Sequence, residues 1–319
     1  MKKRIFCLCL VLCLLSACFI TVSASEKADG TKASPYLIGS KEDLLAFAAA
    51  VNAGNGFEGE YFLQTADIDL AGVEWQTIGP YGTECSFLGT YNGGGHIIRN
   101  LSVTVGGNNS FFGQLGGTVM NLGLEGGTVS GACTGGITSH SSRPTAKIIN
   151  CYSKITVNGA RVGGIADNFN GTIANCLSEC ELNADSAENV GGIVSYGAMS
   201  LIDCISIEPD GRSGNRPHGS TYVDSTDADL ETVAKKLNQS LYNAALASGT
   251  DYRELNRWTV SEDGQRIVFS SETGSLQGQS AGAFLGTGIR AAAPYLLICG
   301  GCFALFAVFF KAKKKTNEE

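Results

Sequence analysis

Two uncharged apolar runs bracket the chain, and between them the apolar positions are short and alternating. The first run, Ile5 to Ile20, follows Lys2, Lys3 and Arg4 and leads into Val22-Ser23-Ala24, then polar Ser25 and Glu26. That order of basic, apolar and small residues predicts a secretory signal peptide over residues 1–24, cleaved after Ala24. Leu15-Ser16-Ala17-Cys18 offers a second reading, a bacterial lipobox with Cys18 lipidated. The second run, Ala291 to Phe310, has no charge and is long enough, at about 1.5 Å per residue, to cross a bilayer core. Lys311, Lys313, Lys314 and Lys315 follow it, so the positive-inside rule puts the tail, residues 311–319, in the cytoplasm. Residues 271–290, rich in Ser, Gly and Gln, read as a flexible stalk.

The middle repeats. Asn or Asp followed by an apolar residue recurs at Asn100-Leu101, Asn121-Leu122, Asn150-Cys151, Asn175-Cys176 and Asp203-Cys204. A second marker, Gly-Gly-Ile, stands at Gly135-Gly136, Gly163-Gly164 and Gly191-Gly192, each pair followed by Ile, in steps of 28. Around each Asn the apolar residues alternate, as in strands with one buried face. The phase breaks at the Asn itself: Val119, Ile148 and Ile173 lie two places before it, and Leu122, Cys151 and Cys176 one place after. A straight strand would turn one of those sides outward. A corner in the left-handed conformation, which Asn tolerates, keeps both inside.

Short strands, sharp corners and about 25 residues per turn predict a right-handed parallel β-helix, with coils about 4.8 Å apart. The fold class is therefore mainly β, a short solenoid with a capping α-helix near each end and one C-terminal transmembrane helix. Stacked Asn side chains should form an amide ladder. Cys151, Cys176 and Cys204 should form an inward ladder, either as buried thiols or in disulfides. The first cap is a helix from Ser40-Lys41-Glu42-Asp43, a capping-box pattern, through Leu44, Phe47 and Val51. The second, over residues 211–270, combines a helix through Leu230, Val233, Leu237 and Leu241 with a hairpin from Trp258 to Phe269. The β-helix with its first cap should occupy residues 25–210.

Several segments resemble the GLUG-motif family of bacterial surface and secreted proteins. They are Pro35-Tyr36-Leu37-Ile38, the stretches Tyr61 to Leu70 and Trp75 to Gly79, Phe87 through Leu101, Phe111-Phe112-Gly113 and the three Gly-Gly-Ile units. The resemblance covers Ser34 to Ser206. It implies a surface-bound or secreted β-helix, and it carries no catalytic residues, because the motif is a packing signature. The chain departs from that pattern in having few coils and a membrane span in place of a wall-sorting signal.

Charge narrows the partners. The whole chain has a net charge of -7, and the segment Ser25 to Arg290 carries 16 basic and 28 acidic residues, a net of -12. Such a surface repels nucleic acid, so no nucleic-acid partner is expected. Candidate chemistry is sparse. Only His96, His140 and His218 are present, without H-E-x-x-H, P-loop or zinc-finger spacing. Ser195 misses the nucleophile-elbow spacing by one residue. Asp67 and Asp69 share one strand face, which suits a solvated surface or a calcium site. No metal, cofactor or enzymatic activity is expected. The expected function is adhesion or recognition of an extracellular glycan or protein. The protein would be single-pass type I in the plasma membrane, with its ectodomain on the bacterial cell surface. The rival readings are a passive structural element and a carbohydrate-active β-helix enzyme. The proposed ligand contacts are Tyr91, Tyr152 and Tyr196, aromatic side chains expected on corners or outer faces.

Overall fold

Asn121, Asn150, Asn175 and Asp203 all sit in the left-handed region, with φ between 50° and 54°. Each turns the chain from one parallel sheet into the next. The computed structural model describes residues 28–104, 107–197, 200–208, 220–224 and 228–273. The signal peptide, the Cys18 lipobox, the 291–310 span and the basic tail lie outside the described residues, as does the stalk from residue 274 onward. No helix among the described residues is long and apolar enough to cross a membrane.

The corners connect three parallel sheets into a β-solenoid of the right-handed type with about six turns. The first sheet has seven strands: Tyr36–Ile38, Tyr61–Gln64, Thr90–Asn92, Thr118–Met120, Lys147–Ile149, Thr172–Ala174 and Ser200–Ile202. The second runs from Ile68–Asp69 through Ile97–Val103, Gly123–Gly135 and Tyr152–Gly163 to Leu177–Ser178, Cys204–Glu208 and Ser220–Asp224. The third has four strands: Phe112–Leu115, Thr138–Ser141, Ala166–Asn168 and Val194–Tyr196.

Register fixes the interior. Phe62, Tyr91, Val119, Ile148, Ile173 and Leu201 are successive rungs of one inward column, all buried. After each corner, Leu122, Cys151, Cys176 and Cys204 continue a second column, also buried. The four buried cysteines and the half-buried Cys85 and Cys133 are all free thiols. Burial of each apolar side chain of this size is worth roughly 1.5–3 kcal/mol, so both columns stabilise the stacked coils.

The amide ladder is present. Asn150 Nδ2 donates to Asn121 Oδ1 (2.8 Å), and Asn121 Nδ2 donates to Asn92 Oδ1 (2.9 Å). The Asn175 amide meets that of Asn150 at 2.8 Å. Asn100 does not belong to the ladder. It also has positive φ, 57°, but it lies within Ile97–Val103, and its amide donates to Asp69 Oδ1 (2.7 Å). Asn100 thus stands opposite Gly126 inside the second sheet, off the column of Asn corners.

Helix α1, Lys41–Asn52, closes one end as expected. Ser40 Oγ accepts from the Asp43 N–H (3.1 Å) and donates to Asp43 Oδ2 (2.7 Å). Phe47 then packs 4.6 Å from the Phe62 ring, 5.2 Å from Phe87 and 5.7 Å from Tyr91.

The C-terminal elements depart from expectation. Helix α2, Leu230–Ser248, lies across the outer surface of several coils rather than over the end. Val233, Leu237, Leu241 and Ala244 pack with Ile149, Tyr152, Leu177 and Ile205 in one buried cluster. Asn243 Nδ2 donates to Asp203 Oδ2 (3.0 Å), Lys147 Nζ donates to the Ser248 carbonyl (2.6 Å), and Tyr61 Oη donates to Glu254 Oε2 (2.9 Å). The segment thus runs back along the ladder toward the first coils. The hairpin Asn256–Val260 and Ile267–Thr273 follows it. Two boundaries move accordingly. Ser220–Asp224 pairs in parallel with Cys204–Glu208, so the solenoid continues past residue 210. The last hairpin strand reaches Thr273, so it takes the first three residues assigned to the stalk.

Candidate functional site

The Gly-Gly-Ile units make the corner that leads into the third sheet. A Cβ on Gly135, Gly163 or Gly191 would stand 1.8–2.0 Å from the carbonyl oxygen of Thr138, Ala166 or Val194, so the turn has no room for one. The second glycine lets the next coil close in: a Cβ on Gly136 or Gly164 would meet Ser153 or Ser178 Oγ within 2.0–2.4 Å. Ile137, Ile165 and Ile193 then point into the core. This shared geometry brings the residues after each motif into register.

Register places Gln114, His140, Asn168 and Tyr196 on adjacent rungs of the third sheet. The row is flanked by a polar cluster at the junction with the second sheet. Arg161 Nε and Nη2 grip Asp167 Oδ1 and Oδ2 at 2.5 and 2.8 Å, a bidentate pair. Ser195 Oγ donates to the same Asp167 Oδ1 (2.5 Å). Asp167 is 1% exposed, and its three donors offset the cost of burying its charge. The Arg161 guanidinium lies 5.2 Å from the Tyr196 ring centre, within cation–π range. Tyr81 sets its ring edge-on to His140 at 5.0 Å. Gln114 Nε2 donates to the carbonyls of Thr83 (2.7 Å), Pro80 (3.1 Å) and Cys85 (3.2 Å), and so holds the loop that carries Tyr81.

Its hydrogen bonds to Asp167 push the Arg161 guanidinium further up. Burial holds His140 below the usual imidazole range, against the opposing pull of Asp167. Burial and then the Asp167 carboxylate push the Cys133 thiol up.

Of the three predicted contacts, Tyr196 alone stands free, 59% exposed. Tyr91 is 0% exposed, because its strand register turns it into the first-sheet column, where its hydroxyl donates to Gln64 Oε1 (3.0 Å). Tyr152 does point out of the solenoid, but the hairpin covers it. It is 1% exposed, bonded to Glu125 Oε1 (2.7 Å), and its ring lies 5.4 Å from that of Phe269. Both are therefore corrected from ligand contacts to core residues. Tyr81 is 51% exposed, and Phe169 is buried.

The other candidates are already occupied by the protein. Asp69 Oδ1 accepts from Asn100 Nδ2 and from the Ala71 N–H (2.8 Å), and Asp67 accepts from the Ile97 N–H (3.0 Å) and Arg99 (3.2 Å). Among the described residues, no group of three His, Cys, Asp or Glu side chains could hold a metal ion. The row itself was legible once the three motifs were aligned, since His140, Asn168 and Tyr196 all stand five residues after the first glycine. Arg161 and Asp167 carried no comparable signal, because their pairing depends on the corner between them.

No family model matches the chain. A stretch of 157 residues, 45% of the chain, is 32% identical to Halomucin from Haloquadratum walsbyi (strain DSM 16790 / HBSQ001). The chain spans 2% of Halomucin's length. The crystal structure of "a putative immunoglobulin A1 protease from Bacteroides ovatus" aligns with 77% of this chain and 95% of its own, at 20% identity and a TM-score of 0.40.

Proposed function

We propose that this protein is a non-enzymatic recognition module at a bacterial cell surface, which binds an extracellular ligand through the third sheet. Tyr196, standing 59% exposed over the Arg161–Asp167 pair, is the observation that carries the reading. A large ring left in solvent yet fixed from below is preorganised for stacking, at little ordering cost on binding. On the first sheet's side, α2 and the hairpin cover Met120, Ile149 and Ala174.

Both Asp167 oxygens are engaged by protein donors, which favours binding over acid–base catalysis at this cluster. Surface display rests on the predicted signal peptide 1–24, the apolar run 291–310 and the resemblance to GLUG-motif proteins, all of which belong to the same proposal.

The experiment is an array of glycans, wall polymers and matrix proteins, probed with the full chain in detergent. Selective binding that is weakened by Tyr196→Ala and unaffected by Leu246→Ala is expected. Binding that ignores Tyr196 would overturn the third-sheet site, and no binding at all would move the protein to the structural reading. Protease treatment of intact cells should also remove the ectodomain, and its survival would overturn the proposed topology.

A further inference from the structure

We infer that the third-sheet face selects an uncharged glycan, held between two tyrosine rings and read by neutral hydrogen-bonding groups. The inference rests on the recognition reading above and adds the ligand's chemical class.

The first argument is charge. An acidic polymer is normally gripped by free Arg or Lys side chains. The cation here is not free: two guanidinium nitrogens of Arg161 are committed to Asp167, so the pair presents no net charge. His140, the other potential cation, is held neutral at neutral pH by burial. The row residues Gln114, His140, Asn168 and Tyr196 therefore carry no formal charge. Around them the segment Ser25 to Arg290 has a net of -12, which repels polyanions further.

The second argument is shape. The Tyr81 ring lies 5.0 Å from the His140 ring, and Tyr196 stands two rungs beyond His140 on the other side of Asn168. A protein partner would favour a contiguous apolar patch with a dry centre. Here the rings are separated by the polar Asn168 rung. A sugar chain offers the matching alternation: apolar C–H faces for the rings, and hydroxyls that both donate and accept for amide and imidazole groups. Asp167 acts as a positioning residue, fixing Arg161 beneath Tyr196, and Gln114 does the same for the Tyr81 loop.

The test pairs neutral homopolymers (glucan, mannan and xylan oligosaccharides) with uronic-acid and sulfated oligosaccharides of equal length. Binding to the full chain is followed by titration calorimetry at low and high salt. The expected result is binding of at least one neutral oligosaccharide, little changed by salt, weakened about tenfold by Tyr196→Ala, and largely kept by Tyr196→Phe. Asp167→Asn should weaken it too, with Leu246→Ala as the unaffected control. Salt-sensitive binding of the anionic set that still depends on Tyr196 would overturn this inference and leave the recognition reading standing. Tyr196-dependent binding of a protein alone would do the same. If no oligosaccharide and no protein bound in a Tyr196-dependent way, both would fall.

Discussion

The Trp258 indole N–H donates to Asn150 Oδ1 at 2.8 Å, joining residues 108 apart in the chain. The same hairpin strand closes other ends of the ladder. Asn150 Nδ2 donates to the Asn256 carbonyl (2.9 Å), and Asn121 Oδ1 accepts from the Asn256 N–H (3.1 Å). A buried amide column would otherwise keep unpaired groups on its outer side, at about 1–3 kcal/mol each. The C-terminal segment is thus a strap along the solenoid, and it satisfies the ladder while covering the apolar surface beside it.

Trp258→Ala should therefore destabilise the protein by about 3–5 kcal/mol, the range for deleting a large buried ring. Trp258→Phe should cost less, since it keeps most of the packing and removes one of the two donors to Asn150 Oδ1. Urea denaturation measures both. A loss below about 0.5 kcal/mol for Trp258→Ala would mean the strap is not packed as described.

The corner itself predicts an order of effects at Asn150. Asn150→Gly removes the ladder bonds but keeps easy access to φ 54°. Asn150→Ala loses the same bonds and adds about 1–2 kcal/mol of left-handed strain. Ala should thus be the worse replacement in the same denaturation assay, and the reverse order would remove strain from the explanation.

These corners were legible because each left a local signature: the three-residue step in the apolar phase, with Asn inside it. Tyr152 shows where local reading stops. Its outward direction follows from the alternation after Asn150, but its cover comes from Trp258 and Phe269, more than a hundred residues later. Tyr91 fails for a different reason. The glycine run Gly93-Gly94-Gly95 hides the phase of its short strand, and only pairing with Phe62 and Val119 reveals that it faces inward. The position of α2 was equally hidden, because an amphipathic helix names its buried face but not the surface that face meets.

Gly163 and Gly249 should separate two uses of glycine. A Cβ at Gly163 would lie 1.8 Å from the Ala166 carbonyl oxygen, so Gly163→Ala should prevent accumulation of folded protein. Gly249 ends α2 at φ 69° with open space around it, so Gly249→Ala should cost only about 1 kcal/mol. Yields of folded protein for the two variants make the comparison.

Alkaline pH should unfold the protein through its buried tyrosines. Burial raises the Tyr91 hydroxyl, and burial followed by the Glu125 carboxylate raises that of Tyr152. A group raised in the folded state favours folding below its unfolded value, near pH 10, and loses that contribution as pH climbs higher. Stability should therefore be insensitive to these groups at neutral pH and fall above about pH 10. Tyr152→Phe should lower stability at pH 7, because Glu125 loses a donor, yet show a shallower alkaline fall. An unchanged alkaline slope would contradict the burial of that hydroxyl.

Hydrogen exchange of the full chain, with and without its best array ligand, locates the recognition surface without assuming it. Protection should gather over residues 138–141, 166–168 and 194–196 and over the Tyr81 loop, and leave the strap at 256–269 unchanged. Protection confined to the strap or to α1, with none over the third sheet, would contradict the assignment of the Tyr196 face.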